Sequence, residues 1–123
     1  MKGNLAEVLE SIAMNSSKKG LKASISGETV TVDHPEYPVK LVIYREGEKF
    51  VVELKAGDGL EENIEELLND EIDPRGELED ALDLLLSVAD YAVKKLELAG
   101  FKVVRRTREG VLDIYDALES FLE

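Results

Sequence analysis

The chain has no cysteine, no tryptophan and no glutamine, and its 123 residues include one histidine and three prolines. Without cysteine there is no disulfide framework, no thiolate zinc site and no cysteine nucleophile. No apolar stretch approaches the ~20 residues that span a bilayer. The opening Met1-Lys2-Gly3-Asn4-Leu5-Ala6-Glu7 lacks the apolar segment of a secretion signal, so a cytoplasmic protein with no membrane association is expected. Glutamate and lysine are plentiful where thermolabile residues are few, a composition of thermophile-like character. Two phosphate-binding glycine patterns, G-x-x-x-x-G-K-[ST] and G-x-G-x-x-G, are also missing.

What is present is an acidic chain with enough apolar content to fold. Apolar residues make up 44% and charged residues 34%, with 15 bases against 27 acids, a net charge of -12. That content is too high for a disordered acidic tail, and the length suits one domain over residues 1–123. The charge is unevenly placed. Between Gly57 and Ala92 thirteen acids face only Arg75, so this segment alone carries -12 and the rest is neutral. Immediately after it come Lys94, Lys95, Lys102, Arg105, Arg106 and Arg108, interrupted only by Glu97. Overall acidity disfavours nonspecific binding to nucleic acid or anionic membrane.

Hydrophobic spacing predicts α-β-β-β-β-α-α-β-α, an α+β domain with a mostly antiparallel sheet of about five strands packed by helices. Asn4 and Glu7 form a capping-box pattern for a first helix over 5–18, stopped at Gly20. Alternating residues around Ile25, Val32, Leu41 and Val52 give four strands, with turns at Ser26-Gly27-Glu28 and Glu46-Gly47. Asp58 and Asp73 are the expected N-caps of the next two helices, the second with Pro74 at its first position. A strand from Phe101 to Arg106 precedes a last helix capped by Thr107.

Two surfaces stand out. If Leu41, Ile43, Phe50 and Val52 face the core, then Val42, Tyr44 and Val51 point the other way, where a wet sheet face would carry polar residues. Either the first or last helix covers that face, or a partner does, and the triplet is the candidate interaction site. The long helix from Pro74 is the second surface. Leu78, Leu82, Leu85, Ala89, Ala92, Leu96 and Ala99 keep one register on it, either as a central core helix or as a dimer contact.

Other features carry less. Aligned on Gly76 as position six, the acidic connector resembles a calcium loop. Arg75 then falls at a ligand position and Leu82 replaces the bidentate Glu, so no metal site is assigned. His34, between Asp33 and Glu36, reads as an exposed loop histidine, since no nucleophile or ligand set accompanies it. No serine sits in a G-x-S-x-G elbow, and no catalytic, cofactor or metal residue is identified. Arg105, Arg106 and Arg108 lead into a helix N-terminus and could hold a small anionic ligand; charge compensation beside the acidic helices is the plainer role. The expected function is a small acidic, non-enzymatic protein-interaction module, self-associating as a homodimer or binding another protein. The alternative is a binding domain or enzyme for a small anionic ligand on the arginine patch.

Overall fold

The structure is a computed structural model that describes residues 4–122. Nine elements follow in order: α1 (Leu5–Lys18), β1 (Lys22–Ser26), β2 (Thr29–Asp33), β3 (Val39–Glu46), β4 (Lys49–Ala56), α2 (Leu60–Asn69), α3 (Pro74–Leu98), β5 (Lys102–Arg106) and α4 (Arg108–Leu122). The order and the α+β class are those the sequence predicts. The five strands lie side by side as β1-β2-β3-β4-β5. The first three pairings are antiparallel hairpins or meander steps, and β5 joins β4 in parallel after the α2–α3 crossover.

Local chemistry fixes the helix ends. Asn4 Oδ1 accepts from the Ala6 N–H at 3.0 Å, and Asp73 Oδ1 accepts from the Arg75 N–H at 3.0 Å. At Gly20 and Gly100 the chain turns left-handed, and the next N–H reaches back to the helix, Leu21 to Ser16 O and Phe101 to Leu96 O, both at 3.1 Å. The same motif ends α2, where Ile72 N–H donates to Leu67 O at 2.8 Å with Glu71 in the left-handed position. Two expected details differ. The N-cap of α2 is Gly59 with no side-chain cap, not Asp58. The β3–β4 turn is Gly47-Glu48, one residue beyond the expected centre.

All four helices pack on one face of the sheet. Leu9 and Ile12 of α1, Ile64 of α2, Ile114 and Leu118 of α4 join Val30, Val32, Leu41, Ile43, Phe50, Val52 and Leu54 in one core. The long helix α3 supplies Leu78, Leu82, Leu85, Ala89, Ala92, Leu96 and the adjoining Ala99, all buried, while Asp83, Asp90 and Glu97 are exposed. It is therefore the central core helix, which is why its apolar stripe is so wide. No helix among the described residues is long and apolar enough to cross a membrane.

The loop between β2 and β3 closes one end of the sheet and gives His34 a structural task. His34 Nδ1 accepts from the Glu36 and Tyr37 N–H groups at 3.1 and 3.2 Å, and the ring stacks on Tyr37 at 5.1 Å. Tyr37 in turn donates to Glu77 Oε2 of α3 at 2.6 Å, and that bond leads the causes that push its pKa up to about 12. His34 is thus half-buried rather than exposed. Burial lowers its pKa and outweighs the Glu36 charge, which acts in the other direction. Because the folded value lies below the unfolded 6.5, the unfolded chain takes up the proton first. Stability from this group is complete above pH 6.5 and is lost as the pH falls through the lower, folded value. Melting scans between about pH 7.5 and 5.5 should show Tm falling toward acid in the parent chain. A His34→Asn variant, which keeps an acceptor, should lose that part of the slope; an unchanged slope would remove His34 as its cause.

Candidate functional site

Strand register assigns each side chain of the sheet to a face, because alternate residues point to opposite sides. On the face away from the helices the strands meet in four transverse rows. The first is Lys22, Asp33, Lys40 and Lys55. Ser24, Thr31, Val42, Glu53 and Arg106 make the second. The third has Ser26 and Thr29 on one side, then Tyr44, Val51 and Val104. The fourth is Glu46, Lys49 and Lys102.

At the centre of these rows Val42, Tyr44, Val51 and Val104 form one apolar patch over three adjacent strands. Val51, flanked by Tyr44 and Val104, has no exposed surface, yet it stands outside the helix-side core. Its neighbours in the patch are half-buried. Tyr44 Oη donates to Glu53 Oε2 at 3.4 Å along the patch edge. No helix lies over these residues: α1 packs on β1 and β2, α4 on β4, and α3 on β3, β4 and β5, all from the core side. The alternative in which α1 or α4 wraps this face therefore does not hold among the described residues. An α-helix has one core-facing stripe here, and every stripe is already used.

Charge on the face runs against the rest of the molecule. Lys22, Lys40, Lys49, Lys55, Lys102 and Arg106 stand against Asp33, Glu46 and Glu53, a balance of +3 that leaves -15 for the remainder of a chain at -12. The ion pairs on the face are loose. Glu46 lies 3.8 Å from both Lys49 and Arg106, and Glu53 lies 3.6 Å from Lys55. Among the described residues Lys40 and Lys102 have no carboxylate oxygen within 4.0 Å.

The three arginines do not form one patch. Arg105 turns to the helix side, where its Nε donates to Thr107 Oγ1 at 3.1 Å and its Nη1 pairs with Asp90 of α3. Arg106 lies on the open face near Glu46, and Arg108 is exposed at the start of α4. Adjacent strand residues point to opposite faces, so a run of arginines in a strand is divided by the pleat. Among the described residues no group of three or more His, Cys, Asp or Glu side chains is placed to hold a metal ion.

Several members of the face were not singled out by sequence: Val104, and the lysines around the patch. Alternation alone pairs Val104 with Lys102 and Arg106, but its neighbour Val51 is known only once β5 is placed beside β4 in parallel. No family model matches this chain, and searches of curated proteins and of solved structures also return no match.

Proposed function

We propose that this chain is a non-enzymatic interaction module that docks a protein partner on the open face of its sheet. The observation that carries the reading is the patch of Val42, Tyr44 and Val104 around the sealed Val51, half-buried and covered by no helix, in a fold whose four helices all serve the other face. An antiparallel sheet with one wet side ordinarily alternates apolar in and polar out, and here the centre of the wet side is apolar instead. Burying such a patch stabilises a complex by roughly 25 cal/mol per Å² of apolar area removed from water, before the cost of association is subtracted.

The test compares the parent chain with Val42→Asp, whose half-buried side chain can tolerate a charge better than the sealed Val51. Absolute molar mass by light scattering and retention of proteins from the native lysate are measured for both. A mass of twice 13.7 kDa, or a retained protein, that disappears in Val42→Asp at unchanged circular dichroism supports the face as the docking surface. Identical mass and identical retention in the two chains would sink the reading. Should Val42→Asp unfold, Val42→Thr repeats the comparison with the shape of the patch retained.

A further inference from the structure

The chemistry around the patch specifies what should sit on it. Register sets Lys40 opposite Lys55 on one side and Asp33 on the other, and Lys49 beside Lys102 on one side and Glu46 on the other. Like charges in cross-strand positions destabilise a sheet. A chain with 27 acids nevertheless places two such pairs on the one face that is positive overall. The pairs bracket the apolar patch: Lys49 and Lys55 are six residues apart on β4, ~20 Å at ~3.3 Å per residue. Row two, with Val42, and row three, with Tyr44, Val51 and Val104, lie between them.

Resting on the docking reading above, we infer that the open face recognises an acidic amphipathic protein segment, its apolar side on Val42, Tyr44 and Val104 around the sealed Val51 and its carboxylates on the lysine pairs at the two ends. An α-helix of about 14 residues spans the ~20 Å between the pairs. Complementary charge sets orientation and rejects basic competitors, while the apolar centre supplies most of the affinity. A second copy bound through the same face fits less well. A two-fold axis lying along the strands, or across them, sets lysine pair against lysine pair. Nucleic acid also fits less well. Tyr44 is the one aromatic ring on the face, Glu46 and Glu53 lie among its cations, and the remaining -15 repels a phosphate backbone.

Fluorescence anisotropy with two labelled synthetic helices tests this. Both carry the same Leu and Ile face, one with Glu at its two ends and the other with Lys in the same places. The Glu peptide is expected to bind the whole chain at about 50 µM or tighter, and about tenfold tighter than the Lys peptide, with the difference shrinking between about 50 and 300 mM salt. The double variant Lys40→Glu, Lys102→Glu should reverse the preference, while its Tm stays within about 2 °C of the parent's, because Glu at 102 relieves the pair with Lys49 but Glu at 40 meets Asp33 as well as Lys55. A folded double variant with no change in peptide preference would overturn the proposal, because the lysines would then take no part in recognition. Equal binding of both peptides keeps the docking face and refutes its charge selectivity. Binding of neither, with no Val42-dependent change in mass, refutes both. A patch-dependent dimer assigns the face to a second copy, and tighter, steeply salt-dependent binding of a thymidine oligonucleotide assigns it to nucleic acid; either result overturns the acidic segment.

Discussion

Replacing Gly110 by alanine is expected to cost about 3 kcal/mol or more, although alanine is the better helix former by about 1 kcal/mol. Gly110 is the third residue of α4, at the point where that helix crosses β4. A Cβ built there would stand 2.0 Å from the Leu54 carbonyl oxygen, 2.6 Å from its carbon and 3.1 Å from its Cβ. The obstacle is main chain of a central strand, held at Leu54 by its pairing with Leu41 and just beyond the last β5 pair at Glu53, so it cannot turn aside as a long side chain would. The helix must withdraw instead, and with it Ile114 and Leu118, both fully buried. Urea denaturation of Gly110→Ala should therefore give a clearly lower midpoint than the parent, by several degrees in Tm as well. A variant equal to or more stable than the parent would show that α4 can slide on β4.

The second large effect is at Phe50. Its ring has no exposed surface and meets Phe101 edge to face, with centroids 5.2 Å apart. The Arg45 guanidinium lies 5.9 Å from the Phe50 centroid and 5.7 Å from that of Phe101, closing the end of the core. Phe50→Ala removes the transfer energy of the ring and leaves a cavity, a loss of about 3–5 kcal/mol. Against a total of about 5–15 kcal/mol for an ordinary domain, the variant is expected to be marginal at 37 °C. Phe50→Leu keeps most of the volume and should lose about 1–2 kcal/mol, part of it the ring–ring contact. If alanine and leucine gave the same midpoint, the site would be collapsing around the deletion and the cavity account would be wrong.

The element order was legible because each element carries its own local signal. The heptad-like residues of α3, the Asn4 and Asp73 caps and the alternation in β3 and β4 are all short-range patterns. The second apolar face was also legible, since Val42, Tyr44 and Val51 break the alternation that a wet face requires. What covers it was not, because nothing local tells a helix which side of a sheet to choose. The Lys49–Lys102 pair needed β5 placed beside β4, and the Lys40–Lys55 pair was hidden by one residue in a turn. Centred on Glu46-Gly47, the hairpin would set Lys40 opposite Glu53, an ordinary opposite-charge pair. The actual turn at Gly47-Glu48 sets it opposite Lys55. The same step keeps every residue on its face while changing all its neighbours. The arginine run misled for the opposite reason: adjacency along the chain hid the pleat that sends Arg105 and Arg106 to different sides. Gly110 and His34 could not be interpreted without their distant or backbone partners.

One property follows from the parallel pairing of β5 with β4. Strands β1 to β4 can zip together by short hairpin steps, whereas β5 reaches the sheet only after everything from Gly57 to Phe101 has been brought into place. Closing that long crossover costs entropy before its contacts repay it, so β5 docks among the last steps of folding. Yet β5 brings Val104, Lys102 and Arg106 to the open face, completing the apolar patch and one of the two lysine pairs. A chain still folding displays that surface without its β5 edge. Under the docking proposal, a partner that spans both ends would respond, in a single contact, to whether the chain has finished.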